Sequence, residues 1–136
     1  MECSLVSRAG SWWNGPGGEN HAYNIAPRIA QALQLHCEVV QRLGDDAILI
    51  TNFTNVSYLT GFTGDDSFLL ISPQKELLIT DARYTIQLGD ECPSLELAVR
   101  PPSMSINDAV AGVLKSARVR RLAIEADSMT VGLRQR

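Results

Sequence analysis

Seven carboxylates stand where the apolar runs of this sequence begin or end: Asp45, Asp46, Asp65, Asp66, Asp81, Glu125 and Asp127. Gathered at one end of a mixed sheet, paired acids can hold Mg²⁺ and activate water, as nucleases on a ribonuclease H-like scaffold do. Their immediate neighbours favour a plainer use. Asp45-Asp46 lies in a turn, Asp65-Asp66 follows Gly64 in a loop, and Asp81 sits where a helix cap belongs. The expectation is that these acids serve the backbone and that no metal is held.

Other chemistries have less to build on. The two histidines, His21 and His36, stand at no ligand spacing from a cysteine pair. His36 reads as a helix surface residue. Cys3, Cys37 and Cys92 form no CxxC pair, no disulfide framework and no dyad with a nearby base, so a reduced setting without a thiol nucleophile is expected. Gly61-Phe62-Thr63-Gly64 is too short and too aromatic to cradle phosphate. Lys115, Arg118, Arg120 and Arg121 follow a helix whose carboxyl end favours cations, and no interleaved aromatics mark them as a nucleic-acid patch. Tyr58 and Phe62 flank a glycine turn; either they plug the end of a sheet or at least one is presented at a cleft.

The elements that must position these residues follow from the spacing of apolar side chains. A helix is expected from Ile25 to Leu43, with Asn24 as N-cap, Pro27 in the first turn and Gly44 as the stop. Its inner face would be Ile25, Ile29, Leu33, Val40 and Leu43, with Ala32 and Cys37 between them. Ala47 to Ile50 is apolar at every position, the mark of a strand covered on both faces. A polar connection with a short helical turn then leads to Phe68 to Ile71, which should pair antiparallel with Leu77 to Thr80 across Ser72-Pro73-Gln74-Lys75-Glu76. Ala82 to Leu88 can form a helix ended by Gly89 or at latest Pro93. Leu95 to Val99 alternates as an edge strand does. Ser105 caps a helix with Ile106, Ala109, Val110, Val113 and Leu114 on one face; Leu122 to Ile124 is a last strand, and Ser128 or Thr130 starts a further helix.

This order, αβαββαβαβα, implies an α/β domain with a mixed sheet and helices on both faces. The 136 residues fit one domain, 45% hydrophobic and 20% charged, with a net charge of −3 that advertises no nucleic-acid surface. No run approaches a membrane span, no secretory signal is visible, and a cytoplasmic location is expected. Without such a signal, the glycosylation triplets at Asn52 and Asn55 read as accidental. Residues 1 to 23, rich in glycine beside Trp12 and Trp13, read as an irregular arm, either docked through the tryptophans or an extension foreign to the domain; residues 24 to 136 form the domain. The natural protein is expected to continue beyond Arg136.

Three ordered motifs carry a likeness. Asn55-Val56-Ser57-Tyr58-Leu59-Thr60-Gly61-Phe62-Thr63-Gly64 and Leu78-Ile79-Thr80-Asp81-Ala82-Arg83-Tyr84-Thr85-Ile86-Gln87 resemble the N-terminal domain of the creatinase/prolidase/aminopeptidase P family. Leu122 to Val131 resembles the segment that leads into that domain's last helix. Ala82 stands where the family commonly has Gly, and Phe53 where it commonly has Pro.

The resemblance implies a three-layer α/β/α fold, ribonuclease H-like in topology. It implies a catalytically silent chain whose parent hydrolyses Xaa-Pro bonds, as aminopeptidase or dipeptidase, with two divalent metals (Mn²⁺, Co²⁺ or Zn²⁺) held by a separate catalytic domain. Short proline-containing peptides would be the parent's substrates. The domain itself would support homo-oligomerisation and close over a neighbouring subunit's active site, with Tyr58 and Phe62 as wall residues. Asn55, Gly61, Asp81, Arg83, Tyr84 and Glu125 would be structural, Asp81 as a cap, Tyr84 packed on the sheet and Arg83 paired with a carboxylate, for which Glu125 is a candidate. An interaction module of a pseudopeptidase and a Mg²⁺-dependent nuclease are the alternative readings.

Overall fold

The computed structural model describes residues 25–93 and 95–135, with side chains from residue 34 onward. The arm, its tryptophans, Cys3, His21 and the Asn24 cap lie outside the described residues. Chain order is helix α1 (Ile25–Leu43), strand β1 (Ala47–Ile50), α2 (Phe53–Thr60), β2 (Phe68–Ile71), β3 (Glu76–Asp81), a 3₁₀ turn (Ala82–Tyr84), α3 (Thr85–Glu91), β4 (Glu96–Arg100), α4 (Ile106–Ser116), β5 (Leu122–Ile124) and α5 (Val131–Arg134).

The strands form one sheet in the order β4-β3-β2-β1-β5. β2 runs antiparallel to both β1 and β3, while β4 lies parallel to β3 and β5 parallel to β1. The continuous apolar strands resolve by their period of two into two cores. Ile50, Leu69, Ile71 and Leu78 point to one face, where Val56 and Leu59 of α2 and Leu88 of α3 cover them. Ala47, Leu49, Leu70, Leu77 and Ile79 point to the other, under Ala109 and Val110 of α4. Register keeps the two sets apart, with Leu69 opposite Leu78 and Leu70 opposite Leu77.

Three expectations need correction. Leu43 is 56% exposed, so the inner face of α1 at its carboxyl end is Cys37 and Val40; three residues beyond Val40, Leu43 has rotated off the core side. The helix expected from Ala82 begins as a 3₁₀ turn over Ala82–Tyr84 and becomes α3 only at Thr85; it runs to Glu91, before the later of its two expected stops, Pro93. Cys37 is disulfide-bonded, so the expectation of reduced cysteines fails there, while Cys92 is free and buried. No helix among the described residues is long and apolar enough to cross a membrane.

Candidate functional site

Strand direction collects the conspicuous residues at one end of the sheet. The carboxyl ends of β1, β3, β4 and β5 and the amino end of β2 all lie there. That end therefore carries Asn52 and α2 after β1, Asp65-Asp66 before β2, Asp81 and Arg83 after β3, Arg100 after β4 and Glu125 after β5. Asp45 and Asp46 precede β1 and fall at the opposite end. There Asp46 accepts the backbone N–H groups of Arg120 and Arg121 at 2.6 and 3.0 Å, which hold its carboxyl below the usual range.

Glu125 ties β5 to the start of α2. Its carboxylate accepts the backbone N–H of Thr51 (2.7 Å) and Asn52 (2.9 Å), the Asn55 amide and the Ser128 hydroxyl. Burial opposes its ionised form, yet these donors prevail and keep the group ionised to lower pH than an ordinary glutamate. The Asn52 side chain caps α2 by accepting from Thr54 N and Asn55 N. Gly61 closes the helix at φ 77°, with its N–H on Ser57 O. That left-handed position suits glycine.

The loop that follows is packed around Gly64. A Cβ there would lie 2.3 Å from Phe62 Cζ and 2.9 Å from Tyr84 Cδ1. Phe62 and Tyr84 meet edge to face, centroids 5.4 Å apart at 81°. Glu91 of α3 accepts Thr63 N–H and its hydroxyl, both at 2.8 Å, and so ties the loop to that helix.

Asp81 is the centre of a charged cluster. It accepts Arg83 N–H (2.8 Å), Arg83 Nε (2.9 Å) and Nη2 (2.6 Å), and Arg100 Nη2 (3.2 Å). These bonds, Arg83's first, hold Asp81 well below the usual carboxylate range, and the same pairing raises the Arg83 guanidinium. Asp66, at φ 53°, bridges Arg100 (2.6 Å) and Arg83 (3.3 Å). Tyr84 donates to the Asp65 carboxylate, which raises its phenol, and Arg83 lies 5.3 Å over the Tyr84 ring.

The site residues expected from sequence divide accordingly. Asp81 is the cap and Tyr84 the packing residue. Arg83 pairs with Asp81 and Asp66, not with Glu125: β5 stands beside β1, three strands away from β3. Asn55 and Glu125 instead meet each other. Of the two wall candidates, Tyr58 is 59% exposed, but Phe62 is fully buried against Tyr84 and presents no surface. Arg100 and Glu91 went unnoticed in the sequence, and Asp66 was noted only as a loop acid. For Arg100 the available signal was its place at the end of an edge strand, opposite Asp81 in register.

This arrangement ties together the loops at this end of the sheet. The Asp81 and Glu125 carboxylates are filled by N–H and O–H donors, and Asp65 and Asp66 by a phenol and two guanidiniums. A divalent metal does not fit them, and no group of three or more potential ligands converges among the described residues.

The fold is shared with known proteins. The profile of the Creatinase/Prolidase N-terminal domain matches residues 31–136. A curated relative, the "Uncharacterized peptidase YqhT" of Bacillus subtilis (strain 168), is 40% identical over 91 residues, which is 67% of this chain and 25% of that protein. The chain thus spans about a quarter of the curated relative's length. Among solved structures, the N-terminal domain of the cytoplasmic peptidase PepQ from Mycobacterium tuberculosis H37Rv superposes with a TM-score of 0.66 at 31% identity, over 74% of this chain and 76% of that one. The Xaa-Pro dipeptidase from Bacillus anthracis gives 0.69 at 27% identity, over 79% and 30%. The chain belongs to the creatinase/prolidase N-terminal domain family.

Proposed function

We propose that this chain is the non-catalytic N-terminal domain of a metal-dependent Xaa-Pro peptidase, aminopeptidase or dipeptidase, whose catalytic domain lies outside this sequence. The observation that carries the reading is the filling of Asp81, Glu125 and Asp66 by donors of the chain itself, which engages these three carboxylates in holding the loops at this end of the sheet. The domain aids self-association and narrows access to a neighbouring subunit's active site, with exposed Tyr58 as its wall residue. Divalent metals (Mn²⁺, Co²⁺ or Zn²⁺) and short proline-containing peptides belong to the catalytic part. A cytoplasmic location is supported by the description of PepQ; the Cys37 disulfide argues against it, and thiol titration of protein isolated under alkylating conditions decides.

The full reading frame, expressed and assayed on Xaa-Pro dipeptides and longer Xaa-Pro peptides with each metal, should hydrolyse them, while residues 1–136 alone should not. Tyr58→Ala should relax the limit on peptide length with little change for dipeptides. A full-length protein inert with all three metals overturns the peptidase reading in favour of the interaction module.

A further inference from the structure

At the end of the sheet away from the loops described above, α1 and α4 finish beside the first residues of β1 and β5. Arg121 joins them: its Nη2 donates to Leu43 O at 3.0 Å, and its Nε pairs with Asp45 at 3.2 Å. Asp46 accepts the backbone N–H groups of Arg120 and Arg121. Both acids of this corner are thus engaged. Around them stand five exposed cations, Arg42, Lys115, Arg118, Arg120 and Arg121. Cations at two helix carboxyl ends offset the helix dipoles, yet of the five only Arg121 bonds a terminal carbonyl. Among the described residues the side chains of Arg42, Lys115, Arg118 and Arg120 make no ion pair and no hydrogen bond.

Arg118 is the unusual member. The turn that closes α4 returns Arg118 N–H to Lys115 O and Val119 N–H to Leu114 O, a motif whose left-handed position favours glycine. Arg118 holds that position at φ 56°. Glycine would close the helix with less strain, so the fold does not account for the exposed guanidinium there.

The charge around this corner says which anion fits. The chain has 12 bases and 15 acids, with a net charge of −3, and the five cations of this corner face only the two engaged acids. The remaining surface is therefore strongly acidic. Duplex nucleic acid and an anionic membrane are extended polyanions that reach past the corner and meet that repulsion, whereas a short acidic peptide meets the cations alone.

We propose that the corner formed by the ends of α1 and α4 is a docking surface for a short acidic segment of a separate polypeptide, held by Arg42, Lys115, Arg118 and Arg120. The surface lies at the opposite end of the sheet from Tyr58 and adds to the reading above without depending on it.

Fluorescence anisotropy of a labelled oligoglutamate peptide, titrated with the 136-residue chain at physiological ionic strength, tests it. The peptide should bind, and its oligoglutamine counterpart should not. Arg118→Gly should weaken binding about fivefold or more while raising the thermal midpoint, because glycine suits the closing turn. Adding Arg120→Gln should abolish binding, with circular dichroism confirming the fold. Absence of binding by the native chain, or an affinity unmoved in the Arg118→Gly/Arg120→Gln variant, overturns the proposal. So does tighter binding of duplex DNA or phosphatidylserine vesicles than of the peptide, which assigns the corner to a phosphate polyanion. The hydrolysis assay decides the peptidase reading independently of these results.

Discussion

Gly64 has no room for a methyl group, because the Phe62 and Tyr84 rings close over its Cα. Gly64→Ala must push both rings and disturb the Tyr84–Asp65 bond, so a loss of about 1–3 kcal/mol is expected, read as a lower urea midpoint at unchanged m. Glu125 acts through charge. Glu125→Gln keeps the shape but turns an amide toward the N–H groups of Thr51 and Asn52; partial exposure limits the loss to about 1–2 kcal/mol at neutral pH. Its folded pKa is depressed from the ordinary 4.5, so this stabilisation is complete above that value and disappears as pH falls through the lower folded value. The gap between native and Glu125→Gln should therefore close on acidification; a gap constant to pH 2 would assign the effect to packing. Sequence alone singled out Glu125 but matched it to Arg83, because spacing along a chain does not reveal which strands become neighbours. Thr51 and Glu125 lie 74 residues apart and meet only because β5 docks beside β1.

At the scale of elements, α2 was the hardest helix to read. Phe53–Thr60 buries only Val56 and Leu59, too few positions to establish a helical period, and it appeared as a short helical turn in a polar connection. Its ends hold it: Asn52 at one, Gly61 at the other, and Glu125 bracing Asn55 from outside. Asn52→Ala removes the side-chain acceptor for Thr54 and Asn55 N–H and should cost about 1 kcal/mol, with Asn52→Asp close to neutral, both measured by thermal unfolding. Because α2 carries Tyr58, the Asn52→Ala variant of the full-length protein should also show a weaker peptide-length limit. By contrast α4, with Ser105 as cap and its apolar face at regular spacing, was legible throughout. The 3₁₀ turn before α3 was not, since Asp81 holds Arg83 N–H through side-chain geometry that helical periodicity does not encode.

For the whole molecule, the five-strand order decides where stability is concentrated. The five strands, helices and central hairpin could be read from apolar runs and turn residues, but the two parallel pairings could not, since they join segments far apart in sequence without a local turn to fix register. β2 and β3 sit inside the sheet with helices on both sides, whereas β5 is a three-residue edge strand with Ile124 39% exposed. Opening β5 uncovers little apolar surface; opening β3 exposes both cores at once. Native-state hydrogen exchange should therefore show the amides of Leu70 and Leu78 exchanging only through global unfolding, and Ala123 exchanging earlier through local opening. Leu78→Ala, at a position with no exposure, should cost about 2–5 kcal/mol and lower the protection of Leu70 and Ala123 alike once global unfolding becomes their shared route. Ile86→Ala, at 84% exposure, should change stability by no more than about 0.5 kcal/mol. If Ala123 proved as protected as Leu70 in the native chain, β5 would belong to the same cooperative unit as the hairpin. The Thr51–Glu125–Ser128 hydrogen bonds would then be what joins the edge of the sheet to its centre, and Glu125→Gln should separate the two exchange rates.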